Sequence, residues 1–231
     1  GELKGSWDWL QFDQEPWEAK DSVYYGACLA AIATGTAPGH YATSPEVQNN
    51  LGLLRKYLKD HAASQSTINR VYLLWASIRL PGLLDSAEQQ SIIQEALHRQ
   101  QADGGWRLAS LTWTWKRWDP KTFVKMWLRE EGTPLSGASD SVATGLVVYI
   151  LQKAGVAKDN PQLQKGLGWL KTNQTAEGDW PAYSINKKKH MSSSTRLFMN
   201  DAGAAFAVLA LTESQRTTAL VNSASFTLAS P

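Results

Sequence analysis

"KGLGWLKTNQTAEGDWPAYS", residues 165–184, has the pattern of an amphipathic helix that stops before a glycine and a tryptophan. Three leucines recur at the helical period along this helix: Leu163, Leu167 and Leu170. Pro161 suits the first turn of the helix, and Gly178 lies beyond its end, where glycine commonly terminates a helix. The stretch therefore predicts a helix with one face in water, followed by a Gly-x-Trp turn.

The Gly-x-Trp turn recurs at two further places in the chain. "QQADGGWRL" contains Gly104-Gly105-Trp106, and "KGSWDWL" contains Gly5-Ser6-Trp7. Each turn is followed, after a loop of variable length, by an aspartate and a run of small and aliphatic residues. These aspartates are Asp21, Asp140 and Asp201. The runs are apolar on nearly all sides, which predicts buried inner helices, and the recurrence indicates structural repeats.

The repeat unit is an amphipathic outer helix, a Gly-x-Trp turn, a loop and an apolar inner helix. "SAEQQSIIQEALHRQQ" is a second outer helix, with Ile92, Ile93, Ala96 and Leu97 on one side. A further pair, "PEVQNNLGLLRKYLKD" and "STINRVYLLWASIRL", lacks the turn. Helix pairs stacked around a centre give an all-α fold, an α/α toroid or barrel. We expect residues 1–231 to form one such domain of about four repeats, a portion of a larger chain or assembly.

The repeat resembles the Gln-Trp repeat of squalene–hopene cyclases and related triterpene cyclases. Lys165-Gly166, Trp169-Leu170, Gln174, Gly178 and Trp180 resemble the whole motif, and Gln101 through Trp106 resembles its second half. The plan is also similar to the wider α/α-toroid group, which includes prenyltransferases and complement-type thioester domains. The resemblance implies a structural role, in which the glutamine amide satisfies open backbone groups at a helix end and the tryptophan packs against it. The residues given this role are Trp7, Gln101, Gly105, Trp106, Gln174, Gly178 and Trp180.

In the cyclases an Asp-x-Asp-Asp motif at the start of an inner helix protonates an alkene. This sequence has no such motif and keeps one carboxylate at each helix start, at Asp21, Asp140 and Asp201. Aspartate is favoured at helix N-termini because it accepts backbone N–H bonds there. We therefore favour caps over acids and name no catalytic residue, with Asp140 the remaining acid candidate. Whether the chain is an enzyme stays open; if it is one, the resemblance implies a squalene–hopene-cyclase-like isomerase.

A binding role is considered for "LTWTWKRWDPKTFVKMWLRE", residues 111–130. Aromatic and cationic side chains together suit a lipid headgroup, a carbohydrate or an acidic protein partner. The candidate binding residues are Trp113, Trp115, Lys116, Arg117, Trp118 and Trp127. The alternative, which we favour, is that these tryptophans seal the gap between two repeats.

Composition excludes several classes of function. A formal charge of +2 argues against a nucleic-acid binder driven by bulk electrostatics, and no apolar run is long enough to span a bilayer. The single cysteine, Cys28, excludes an internal disulfide, and the four histidines show no metal-ligand spacing, so no metal or cofactor is predicted. The chain starts at Gly1 rather than methionine, which with the low cysteine count favours an exported, periplasmic bacterial protein and leaves the compartment open.

Three functions follow as hypotheses. The first is a non-catalytic, cyclase-like repeat domain that serves as a protein-interaction or structural subunit of a larger assembly. Because an incomplete ring leaves apolar edges, we expect other polypeptide to contact residues 1–10 and the end after Leu211. The second is a fragment of a class II terpene cyclase of the squalene–hopene type. The third is a lipid- or carbohydrate-binding toroid with a deep apolar cavity between its inner helices.

Overall fold

The computed structural model describes residues 4–12, 16–19, 21–112, 138–182, 185 and 194–227. These residues are all-helical and include no β-strand, which confirms the all-α class. Their α-helices are α1 (Ser22–Thr36), α2 (Gln48–His61), α3 (Thr67–Arg79), α4 (Ser86–His98), α5 (Leu108–Thr112), α6 (Ser141–Lys153), α7 (Pro161–Thr172) and α8 (Ser194–Thr227). None of the helices in these ranges combines the length and the apolar character needed to cross a membrane.

The chain divides into two compact units, whereas the sequence analysis treats residues 1–231 as one domain. Unit 1 comprises residues 1–99 and 109–130 and contains α1 to α4. Unit 2 comprises residues 100–108 and 131–231 and contains α6 to α8.

Unit 1 is built on two parallel helices, α1 and α3. Near their starts the rings of Tyr25 and Tyr72 meet edge to face, with centroids 4.8 Å apart. Near their ends Gly35 lies directly against the backbone of Arg79, an approach that leaves no room for a Cβ atom. Between them in the chain, amphipathic α2 buries one side, which consists of Leu51, Leu54, Tyr57 and Leu58.

Helix α4 follows α3 in unit 1 and begins with a capping box. The Asp85 carboxylate accepts from the backbone N–H of Glu88, and the Glu88 carboxylate accepts from that of Asp85, both at 2.8 Å. Such reciprocal bonds satisfy two open donors at the helix start. The buried side of α4 is the predicted one, Ile92, Ile93, Ala96 and Leu97. The sequence pattern of this outer helix is therefore confirmed.

In unit 2, α6 is the central helix, and every residue from 141 to 151 is buried. This confirms the prediction of a helix buried on all sides. Helix α8 runs beside α6 in the same direction: Gly145 lies against the backbone of Ala207, and further along the amide of Gln152 donates to the carbonyl of Ala210 at 2.9 Å. The missing side chain at Gly145 permits this close approach.

Helix α7 is the amphipathic helix that the opening stretch predicts. Asn160 caps it by accepting from the N–H groups of Gln162 (2.9 Å) and Leu163 (3.1 Å), and Pro161 takes the first helical position. The buried residues are Leu163, Gly166, Leu167 and Leu170, while Lys165 and Lys171 are exposed.

Helix α8 differs from the prediction in two ways. It begins at Ser194, so that Asp201 lies inside the helix and cannot cap it, and the predicted helix start at Asp201 is wrong. It is also not buried on all sides: of the side chains described, one row is buried, consisting of Met199, Gly203, Ala207 and Ala210. The alanine and glycine content that suggested full burial serves instead for close packing of this one row on α6.

Candidate functional site

The three Gly-x-Trp turns share one backbone conformation. Gly5, Gly104 and Gly178 have φ values of +97°, +92° and +91°, in the region that glycine adopts without steric cost. The equivalent of Gly178 in the second turn is therefore Gly104, and the assignment of Gly105 to that place is corrected.

The glutamine of the second turn is also one residue earlier than predicted. The Gln174 amide donates to the carbonyl of Gly178 at 2.9 Å, and the Gln100 amide donates to that of Gly104 at 2.7 Å. Both glutamines thus stand four residues before the positive-φ glycine. Gln101 instead donates its backbone N–H to Gly105, at 2.9 Å. Gln100 stands six residues before Trp106, as Gln174 stands before Trp180, so the spacing in the sequence already identifies Gln100 as the equivalent glutamine.

The Gln100 amide makes a second bond that the Gln174 amide does not show. It donates to the carbonyl of Gln162, also at 2.7 Å, in the first turn of α7. One side chain therefore joins the turn to the start of α7.

The three tryptophans of the turns have different surroundings. Trp106 is fully buried, with Gly166 of α7 beneath its ring. Trp180 is also buried, and its indole N–H donates to the carbonyl of Leu170 at 2.7 Å. Trp7, however, is 57% exposed, so that it does not pack as the other two do. Trp106 and Trp180 are thus packed inside unit 2, and Trp7 is not packed in this way in unit 1.

Asp140, the acid candidate, joins the second turn to the start of α6. One carboxylate oxygen accepts from the N–H of Ala143 at 2.8 Å, and the other accepts from that of Leu108 at 2.6 Å. The Asp140 N–H donates to the carbonyl of Trp106 at 2.9 Å. The side chain is buried.

Burial raises the pKa of Asp140 to about 6, against the opposing influence of the backbone N–H groups of Ala143, Leu108 and Val142 and of the Arg107 charge. A raised pKa in a buried carboxyl is typical of a proton donor. Here, however, both oxygens already accept from backbone N–H groups, and these bonds are stronger to the charged carboxylate than to a neutral carboxyl. The geometry therefore suits a cap better than an acid.

The other two aspartates do not repeat this arrangement. Asp21 occupies the N-cap position of α1, but its side chain makes no capping hydrogen bond there. Asp201 is exposed on α8. A triplicated aspartate cap, as the sequence suggested, is realised at Asp140 alone among the three.

Asp103 is a second structural carboxylate in unit 2, and the sequence analysis missed it. It accepts from the hydroxyl of Ser139 at 2.6 Å, from the N–H of Gly105 at 3.1 Å and from the indole N–H of Trp169 at 3.3 Å. Partial burial raises its pKa, but these bonds and one from the Ser139 N–H outweigh the burial, and the pKa is lowered. The sequence contains one indication of this role, because Asp103 directly precedes the paired glycines of the second turn.

The predicted binding residues Trp113, Trp115, Lys116, Arg117, Trp118 and Trp127 lie outside the described residues. In the part of the chain that the structure covers, no three His, Cys, Asp or Glu side chains gather as metal ligands would.

The N-terminal strip, defined as Trp7, Leu10 and Phe12, is an exposed apolar surface on unit 1. These side chains are 57%, 55% and 63% exposed. The neighbouring Trp9 anchors the strip: its indole N–H donates to the carbonyl of Trp17 at 3.0 Å. The strip therefore presents its apolar groups from a backbone that is tied down.

A second exposed apolar surface lies on α8 of unit 2. Leu197, Phe198, Val208 and Leu209 are 52%, 61%, 52% and 41% exposed. The sequence analysis assigned Val208 and Leu209 to a buried helix that starts at Asp201. The signal that it overlooked is the polar Asp201, which shares a helix side with these apolar residues.

No protein-family model matches the chain, and no curated protein has a matching sequence.

Proposed function

We propose that the chain is a non-catalytic, terpene-cyclase-like α/α-repeat domain that serves as a protein-interaction or structural subunit of a larger assembly. The observation that carries this proposal is the pair of exposed apolar surfaces, the N-terminal strip and the apolar residues of α8. A soluble monomer rarely exposes contiguous apolar side chains unless they meet a partner.

The chemistry of these surfaces favours a protein partner. Interface cores are enriched in large aromatic side chains, and Trp7, Phe12 and Phe198 are all more than half exposed. The hydroxyl of Ser22, at the start of α1, donates to the carbonyl of Leu10 at 2.7 Å. Because that contact fixes the backbone of the strip, the strip would lose little conformational entropy when a partner binds.

The proposed toroid-like arrangement is supported by a pattern that both units contain. In each unit an amphipathic helix connects two parallel helices that touch through glycine: α1 and α3 in unit 1, and α6 and α8 in unit 2. The turn that Gln100 and Gln174 close supports the same relation to Gln-Trp repeats. Parallel inner helices with outer connectors are the building plan of an α/α toroid.

The absence of catalysis in the proposal rests on Asp140. A cyclase acid must present its proton to the substrate, whereas both oxygens of Asp140 face backbone N–H groups. The raised pKa of Asp140 is the one observation that favours the alternative, a class II terpene cyclase fragment. Incubation of the intact native protein with squalene or a shorter polyprenyl chain decides between them. A cyclised product that Asp140→Asn abolishes would establish the enzyme.

Site-specific photo-cross-linking in the source cell tests the interaction function. A photoreactive amino acid replaces Phe12 or Phe198, with Lys171, an exposed residue of α7, as the control position. We expect cross-links to another polypeptide, identified by mass spectrometry, from Phe12 or Phe198 and none from Lys171. If neither apolar position gives a cross-link and the native particle has the mass of one chain, the proposal is wrong.

A further inference from the structure

One side of α8 is exposed along more than four turns. Its opposite side packs on α6, as the contact of Gly145 with the backbone of Ala207 shows. We define the α8 face as the exposed residues among the described side chains of 194–212. They are Ser194, Leu197, Phe198, Asp201, Ala205, Val208, Leu209 and Thr212. The exposed side continues beyond this face at Gln215 and Arg216.

The chemistry of the α8 face reads nearly the same from either end. A hydroxyl residue stands at each end, an apolar pair lies inside each of them, and a small central stretch separates the pairs. Every exposed position has a counterpart at equal distance on the other side of residue 203: Ser194 with Thr212, Leu197 with Leu209, Phe198 with Val208, and Asp201 with Ala205. A surface with this symmetry is complementary to an antiparallel copy of itself, as an isologous twofold contact requires.

We propose that the α8 face binds the α8 face of a second copy of this chain in an antiparallel helix pair. Leu197 and Phe198 of one copy pack on Leu209 and Val208 of the other, and the twofold axis passes near residue 203. This inference names one partner for the proposed interaction function and rests on that function.

The charge on the face fits this register. Asp201 is the one charged residue of the α8 face, and in the antiparallel pair it lies opposite Ala205 of the second copy. The two Asp201 side chains are then offset by four residues, about 6 Å along the helix axis, rather than placed face to face. Both carboxylates then lie near the twofold axis, between the apolar pairs, where the small side chain of Ala205 leaves each of them space.

The area available also suits a dimer. Each copy would cover the exposed parts of four apolar side chains that are 41% to 61% exposed. Two copies together would remove roughly 800 Å² of apolar surface from water, and the polar rim would bring the total to about 1,200 Å², the lower end of specific interfaces. A reversible dimer with a dissociation constant in the micromolar range is the expected product.

Sedimentation equilibrium of the purified chain between about 1 and 100 µM tests the pairing. We expect a monomer–dimer equilibrium that Leu209→Asp weakens at least tenfold, because it buries a second carboxylate on the face. The control is Lys171→Asp, an exposed charge change on α7, which should leave the equilibrium unchanged. Because Leu209 is itself exposed, circular dichroism should show both variants folded. A monomer throughout this range, or a dimer equally affected by both changes, overturns the proposal.

Disulfide cross-linking tests the register. Chains carrying Asp201→Cys are mixed with chains carrying Ala205→Cys and oxidised, and Cys28 does not compete because it is fully buried. Cross-links between unlike chains should form at least several-fold more readily than between like chains. Equal yields would overturn the antiparallel register. If cross-linking in the source cell finds a different polypeptide on Phe198, the self-pairing is wrong while the proposed interaction function stands.

Discussion

Replacement of Gly166 by alanine tests the packing of the second turn against α7. A Cβ atom at residue 166 would lie 2.6 Å from a methyl carbon of Val148 and 2.7 Å from the ring of Trp106. Both neighbours are fully buried and have no room to retreat. Overpacking of this kind costs about 1–3 kcal/mol, whereas alanine in a helix interior gains about 1 kcal/mol over glycine. We therefore expect Gly166→Ala to lower the free energy of unfolding by up to about 2 kcal/mol.

Gly168→Ala is the matched control, two residues further along the same helix. A Cβ atom there would meet nothing within 4 Å. The helix-propensity gain is the same for both variants and no overpacking opposes it, so Gly168→Ala should stabilise the protein by about 0.5–1 kcal/mol. The difference between the two variants isolates the packing cost, about 1–3 kcal/mol. Urea unfolding followed by circular dichroism measures both. Equal stabilities for Gly166→Ala and Gly168→Ala would refute the packing of Trp106 over α7 described above.

Three further predictions concern hydrogen bonds and pH. Gln100→Ala removes two hydrogen bonds and should lower the free energy of unfolding in urea by about 2 kcal/mol. Gln174→Ala removes one exposed hydrogen bond and should lower it by at most about 1 kcal/mol. The reverse order would contradict the assignment of Gln100 as the glutamine of the second turn. Trp180→Phe leaves the carbonyl of Leu170 without its indole donor and should cost about 1–3 kcal/mol by the same measurement, so an unchanged stability would exclude that bond. The folded-state pKa of Asp140 is raised from 3.8 to about 6. Its contribution to stability is therefore fully present below pH 3.8 and is lost as the pH rises through about 6, by up to about 3 kcal/mol. Unfolding measured at several pH values should show this decrease in the native chain but not in Asp140→Asn.

The sequence predicted the outer helices of the repeats well, for a physical reason. Helices α4 and α7 bury one side against neighbours and expose the other, so their apolar residues recur with the 3.6-residue period of a helix. The glycines of the turns were equally easy to predict from the sequence, because a positive φ strongly favours glycine. These features are local, and local patterns were enough.

Features that depend on distant contacts were predicted less well. The run that contains Asp201 has the composition of an inner helix, but α8 packs only one row of small residues on α6 and leaves Leu197 and Phe198 exposed. Composition does not reveal how many neighbours a helix has. The bond from the Gln100 amide to the Gln162 carbonyl likewise joins residues far apart in the chain, and no spacing in the sequence predicts it.

The candidate site was predicted only in part. Asp140 was recognised as a helix start, and its cap bond to Ala143 agrees with that. Its second bond, which it accepts from the N–H of Leu108, joins residues far apart in the chain, and no spacing in the sequence predicts it. The sequence analysis expected residues 1–10 to contact other polypeptide, but it gave Trp7 a structural role and did not single out Leu10 or Phe12.

The bonds around Asp140 and Asp103 have a consequence for length variation in the chain. Asp140 holds Leu108, and Asp103 holds Ser139, so the chain leaves this cluster and returns to it at points that are already fastened together. A chain segment whose two ends are held together can change in length at a small cost in loop-closure entropy, because that cost grows only with the logarithm of the number of residues. The cluster in unit 2 is therefore closed by the bonds at Leu108, Ser139 and Asp140, and the length of the chain between them has little influence on its stability.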